Sequence, residues 1–333
     1  MNNVNKPVFL VVVACLIFLS IGCTTSKTLL FQLNGDTWKQ HPDGTEAELL
    51  IRNSERPRWI PGNKTHFAYI ERKAGTPWVR LWVAQEDGKN PLALTGFEID
   101  SEFSWSPDGK WLAVSHTKDG LYQIYKIRAD GSQLVRITNS SYTDKFPRWS
   151  PKGDKIAYVS NRGGHQQILV INTDGTGEKQ LSVANHIGND NSPDWSFDGK
   201  KLVYVAWRGA QPPPSRHPIS YLEVVQVDTG LISRIVNFGL NTLPHYEDQY
   251  ILYLSSQLQT KFTLHRYDIK TGKSISIDTF LNYYTGADPL TSSASHVFTT
   301  RQLTQSSPVS IFATQHYTGD TLKLSPGRQP DRW

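Results

Sequence analysis

The sequence predicts an all-β fold of repeated four-stranded units, a β-propeller, and three observations carry that expectation. A tryptophan-led turn recurs, as WIPGN from Trp59, WSPDG from Trp105, WSPKG from Trp149 and WSFDG from Trp195, with spacings of 46, 44 and 46 residues. Each is followed by a short apolar run: Phe67-Ala68-Tyr69-Ile70, Trp111-Leu112-Ala113-Val114, Ile156-Ala157-Tyr158-Val159 and Leu202-Val203-Tyr204-Val205. A second turn, at Gly44, Gly88, Gly131 and Gly175, keeps the same period. A fixed repeat of about 45 residues, made only of short strands and tight turns, marks a propeller.

The chain opens on a different kind of segment. Lys6 precedes an uncharged, mainly apolar run over residues 8–21. At fourteen residues this is short of the about 20 that a spanning helix needs. A positive residue, a short apolar run and small residues after it read as a secretory signal. Both cysteines lie here, Cys15 within the run and Cys23 just after it. Cleavage between them leaves one thiol, at the first residue, and no internal disulfide. Leu19-Ser20-Ile21-Gly22-Cys23 resembles the lipobox of bacterial lipoproteins, with Ser20 at the position where leucine is usual. The resemblance implies lipidation at Cys23, and Thr24 in place of an aspartate implies the outer membrane. Residues 1–22 are thus expected to be a lipoprotein signal peptide, 23–28 a lipidated N-terminus and tether, and 29–333 a single propeller domain.

Within each repeat four strands are expected. An inner strand ends at the Trp, a second follows the Pro-Asp-Gly-type turn, a third precedes the Asp-Gly turn and an outer one ends near Leu-Thr. Asp-Gly suits such a turn because Asp bonds the local backbone and Gly tolerates φ > 0. The array continues in weaker form: Thr229-Gly230, Thr271-Gly272 and Thr318-Gly319 keep the second turn, and Pro244-His245-Tyr246 stands where Pro147-Arg148-Trp149 stood. Pro212-Pro213-Pro214 has no N–H for a ladder and is expected as an excursion on one rim. Six such units follow about three N-terminal strands, over 28–33, 36–41 and 46–51. Residues 328–333 resemble the first strand of a unit. Pairing them with the N-terminal strands would complete a seventh blade and remove the open edges; six blades, with the N-terminal strands as an extra, is the second arrangement.

The run Trp-Ser-Pro-Asp-Gly-Lys at 105–110, with its following strand and Asp-Gly turn, is similar to the TolB-type (PD40, WD40-like) propeller repeat, most specifically over residues 57–205. That resemblance implies a periplasmic setting and binding to partner proteins. Similar repeats also precede the hydrolase domain of prolyl oligopeptidase-like peptidases and occur in oligogalacturonate lyases, so the family leaves function open.

Composition narrows the choice. The 333 residues are 38% apolar and 20% charged, an ordinary globular balance. The net charge of +5 comes from lysines and arginines scattered through the repeats, not gathered with aromatics as a nucleic-acid footprint requires. There is no G-x-S-x-G pentapeptide, H-E-x-x-H or P-loop sequence. Histidines at 165, 186, 217, 245, 265, 296 and 316 occupy differing repeat positions, His245 excepted, whereas equivalent positions are what converge. With Asp190, Asp194, Glu247 or Asp288 they keep a cation-dependent polysaccharide lyase or hydrolase as the alternative.

The candidate binding residues come from one place in the repeat. Arg58, Ser104, Arg148, Asp194 and His245 each precede the aromatic on the inner strand. If the aromatic packs between blades, alternation turns this neighbour toward the axis. Glu102, Lys145 and Asn191 lie near the same end. Trp207, just before the triple proline, is a candidate contact anchor. The expected protein is a lipid-anchored envelope propeller, working without cofactors or nucleic acid. Its partner is a protein or peptide, with a small molecule or polysaccharide as a further ligand class.

Overall fold

The computed structural model describes residues 29–33, 35–40, 47–72, 79–95, 99–118, 120–182, 190–210, 218–236, 240–256, 261–281, 290–292, 296–301, 310–315 and 321–324. Apart from one short 3-10 turn at Arg162–Gly164, the regular structure is all β. Among the described residues no helix is long and apolar enough to cross a membrane. Three strands come first: β1 (Leu29–Leu33), β2 (Asp36–Gln40) and β3 (Glu48–Ile51). The next two repeats supply β4 (Ser54–Ile60), β5 (Asn63–Arg72), β6 (Val79–Gln85), β7 (Leu92–Ala93), β8 (Ile99–Trp105), β9 (Trp111–Lys118), β10 (Leu121–Arg128) and β11 (Val135–Arg136). The third repeat gives β12 (Asp144–Trp149), β13 (Lys155–Ser160), β14 (Gln167–Asn172) and β15 (Lys179–Gln180). The fourth gives β16 (Asp190–Trp195), β17 (Lys201–Ala210), β18 (Pro218–Gln226) and β19 (Ile232–Val236). Then come β20 (Leu240–Glu247), β21 (Tyr250–Ser256), β22 (Lys261–Asp268) and β23 (Lys273–Leu281), and last β24 (Leu290–Ser292), β25 (His296–Arg301), β26 (Ser310–Gln315) and β27 (Thr321–Leu324).

The expected closed propeller is not what these strands form, because among the described residues no sheet is closed. Among the described residues the N-terminal sheet is β1-β2-β3, and residues 328–333, expected to join it, lie outside them. Two expected blades are moreover joined. β4 to β11 make one eight-stranded sheet through a pairing of Val79 with Ile99. The outer strand β7 is only two residues long and pairs with β6 at Trp82 and Val83. It leaves the edge of β6 open at Val79, and an open edge is a template for the next strand that arrives. The four remaining sheets are four-stranded, antiparallel and in chain order.

The repeat tryptophans join one sheet to the next. Trp149 packs with Ala113, Ile124 and Ile137 of the preceding repeat, and Trp195 with Ala157, Val159, Ile168 and Val170. The turns after Trp105 and Trp195 are held by their own side chains. Ser106 Oγ donates to Asp108 Oδ1 at 2.6 Å and accepts from Trp111 N at 2.9 Å; Ser196 and Asp198 repeat the arrangement. Gly109 is required twice over: its φ is +68°, and an added Cβ would sit 2.5 Å from Ile60 Cγ2 of the previous turn. Successive turns therefore stack along one end of the sheets.

Replacing Trp195 by alanine opens a cavity between two sheets and should cost about 3–5 kcal/mol. A lower urea midpoint with an unchanged slope checks this, and an unchanged midpoint contradicts it.

Candidate functional site

The inner strands carry a shared irregularity. Pairing slips by one residue between Glu55 and Arg58, Lys145 and Arg148, Asn191 and Asp194, and Thr242 and His245. Each slip contains a proline, at 57, 147, 193 or 244. Proline has no N–H for the ladder, so the chain bulges there, and a bulge re-aims the side chains beside it. Arg56 and Phe146, each before its proline, take φ of +53° and +57°. β8 has no proline and slips between Ile99 and Phe103 instead.

The re-aimed residues link neighbouring repeats in two alternating ways. Where the residue before the aromatic is arginine, its backbone carbonyl accepts from the next indole: Trp105 Nε1 donates to Arg58 O at 3.4 Å, and Trp195 Nε1 to Arg148 O at 2.9 Å. Where it is a short acceptor, its side chain takes the next aromatic's backbone N–H. Trp149 N donates to Ser104 Oγ, and Tyr246 N to Asp194 Oδ2, both at 2.9 Å. The arginine side chains are thereby left for another task.

That task centres on Glu102. Its carboxylate pairs with Arg56, with Arg148 Nη1 at 3.1 Å and with Arg58 Nη2 at 3.5 Å. Arg58 Nη1 also donates to Phe103 O at 3.1 Å. Burial pushes the Glu102 carboxyl up, but Arg56, Arg148 and Arg58 outweigh it and hold the pKa at about 2. Glu102 and Arg58 are buried, while Arg56 and Arg148 each keep 16% of their side-chain surface open.

A second charged group lies further along the array. His245 Nδ1 meets Asp194 Oδ2 at 3.0 Å, and its Nε2 faces Glu247 Oε2 at 3.6 Å. Burial disfavours the imidazolium, yet the two carboxylates raise its pKa to about 10, so at neutral pH both ring nitrogens are protonated and Nδ1 donates to Asp194. Asp194 Oδ2 accepts at once from this ring and from Tyr246 N.

The structure brings Arg58, Glu102 and Arg148 together, and Asp194 with His245, while Ser104 serves the contact to Trp149. Lys145 stands apart, its ammonium 4.0 Å from the centre of the Tyr122 ring. Asn191 is paired with Val205 in the ladder. Trp207 pairs with Ser220 in β17–β18 and packs half-buried against Val205, Leu222 and Tyr253. Cys23 and the 211–217 segment lie outside the described residues, as do His186, His217 and His316. His265 Nε2 lies 2.7 Å from Ser255 Oγ. Among the described residues, no group of three or more His, Cys, Asp or Glu is arranged to hold a metal ion. Arg56 belongs to the site and escaped the sequence reading, while Glu247, expected there only as a carboxylate that could join the histidines around a cation, faces His245. The proline two residues before the aromatic was the available signal for Arg56.

A family model described as "TolB beta propeller domain" matches residues 40–213, more than half of the chain. The chain belongs to this TolB propeller family. A Protein TolB homolog of Chlorobium luteolum is 30% identical over 139 residues, 41% of this chain and 31% of the relative. The Tol-Pal system protein TolB of Bordetella pertussis is 36% identical over a match covering 33% of this chain and 35% of the relative. The chain thus spans about a third of the length of these curated relatives. The structure of an oligogalacturonate lyase in complex with manganese is similar in fold, with a TM-score of 0.69 at 12% identity, covering 88% of this chain and 87% of that one.

Glu102→Gln should destabilise this TolB-type array by about 3–5 kcal/mol, because three guanidiniums lose a buried counter-charge. Since the folded pKa of Glu102 lies below the ordinary 4.5, its contribution is complete above that value and lost as the pH falls toward about 2. Acid unfolding of the native chain and the variant, side by side, checks this.

For His245 the sign is opposite. Its folded pKa lies above the ordinary 6.5, so the stabilisation is complete below pH 6.5 and lost as the pH climbs through about 10. His245→Gln should be less stable at neutral pH, with the difference from the native chain shrinking in alkali. A constant difference across the range contradicts this assignment.

Proposed function

We propose that this chain is a lipid-anchored propeller of the cell envelope, facing the periplasm, which binds a protein partner at the inner-strand cluster around Glu102. The observation that carries the reading is the convergence of Arg56, Arg58 and Arg148 on that one carboxylate. Guanidinium forks recognise carboxylates in a fixed, bidentate geometry. Glu102 holds them in place before a partner arrives, which lowers the ordering cost of binding. Arg56 and Arg148 keep a solvent-facing part with which to meet an acidic segment. The curated relatives supply the setting, since one is named for the Tol-Pal system and another as a TolB homolog. Cys23, in its lipobox-like context, supplies the membrane attachment, and Thr24 beside it directs that attachment to the outer membrane.

Arg148→Ala is the informative variant, because alanine retains the carbonyl that bonds Trp195 and the array stays linked. Crosslinking in the native envelope should capture one dominant protein with the native chain. A lost Arg anchor of about 2 kcal/mol should weaken that capture roughly thirtyfold in the variant. Equal capture by both overturns the assignment of the cluster. Cys23→Ser should release the protein from the membrane fraction while the purified chain still binds the partner.

A further inference from the structure

The N-terminal strand determines where the tether leaves the fold. β1 begins at Leu29, which pairs with Gln40 at the far end of β2. The adjoining Lys39 reaches Glu86 O at 3.5 Å, at the start of the Asp87-Gly88 turn. In a four-stranded antiparallel unit the first and third turns lie at the same end. Leu29 therefore emerges at the end that carries both sets of turns.

That end also bears the four most exposed large apolar side chains among the described residues: Phe197 at 84%, Leu231 at 60%, Leu92 at 48% and Ile275 at 45%. Each lies within four residues of a turn glycine, at 199, 230, 88 or 272. Phe197 has a specific reason for standing bare. It occupies the place of Pro107, whose ring would be 3.3 Å from a Cβ on Gly153 in the next turn. Six residues separate the paired Trp195 and Leu202, but only four separate Tyr246 and Ile251. The fifth turn is thus two residues shorter and does not cover Phe197. In the same turn the Lys152 stem lies against Gly199, and Lys200 is exposed.

We propose that this turn end is the membrane-apposed face, with Phe197 entering the headgroup layer of a phospholipid surface; the inference rests on the lipid-anchor reading of Cys23. Reach decides the orientation. From Cys23 to Leu29 the chain spans at most about 20 Å even when fully extended. A ten-residue strand such as β5 is about 33 Å long. The tether is too short to pass along the sheets and let the opposite end rest on the bilayer. A phenyl ring at the acyl boundary, flanked by lysine stems, matches the chemistry of such a layer.

The test compares two single cysteines for labelling, Phe197→Cys at the turn end and Leu121→Cys at the opposite end, in the full-length acylated chain. Each carries a fluorophore and is reconstituted in phosphatidylethanolamine–phosphatidylglycerol vesicles containing spin-labelled lipid. Quenching should be several-fold stronger at 197 than at 121. Equal quenching, or stronger quenching at 121, in a chain that incorporates labelled fatty acid overturns the orientation and leaves the anchor standing. Absence of fatty-acid incorporation overturns the anchor, and the orientation with it. A label at 197 that is shielded by a captured protein but not quenched by lipid assigns the patch to a protein contact and also overturns the proposal.

Discussion

Four of the five best-described inner strands are interrupted at one place by a residue that cannot donate to the ladder, and much of the site follows from that. Proline two positions before the aromatic forces one extra residue into the strand. The aromatic that follows still reaches the neighbouring sheet, where Trp149 and Trp195 bury their rings. The residue between proline and aromatic is presented to the adjacent repeat, so one local defect serves both cohesion and the gathering of polar groups.

The charges so gathered are handled in two opposite ways. At Glu102 one carboxylate organises three guanidiniums, and burial is offset by an excess of positive neighbours. At His245 one imidazolium lies between two carboxylates, and the excess is negative. Neither group would persist as an isolated buried ion. The two clusters give the inner strands a polarity along the array, positive toward the earlier repeats and negative toward the fifth.

Much of this was legible in the residues. The period of the WSPDG-type turns located the strands, and the varied polar position before each aromatic pointed to Arg58, Arg148, Asp194 and His245. Alternation alone was an incomplete guide, because the bulge changes the phase of the strand. Arg56 lies on the far side of the slip and Glu247 beyond the aromatic, so neither shares the repeat position that marked the others. The fusion of two repeats rests on a single pairing of Val79 with Ile99, which no turn motif announces. The expected closing strand rested on a resemblance between the segments 56–59 and 328–333, and the latter lies outside the described residues.

The alternation of contacts between repeats divides the inner strands into positions where the link to the next aromatic runs through the backbone and positions where it runs through a side chain. At 58 and 148 the next repeat is held by a carbonyl oxygen, which every amino acid possesses. At 104 and 194 it is held by a side-chain oxygen, which few possess. The backbone link at the first pair thus survives a change of side chain, although the ion pairs to Glu102 do not, whereas at the second pair the link is the side chain itself.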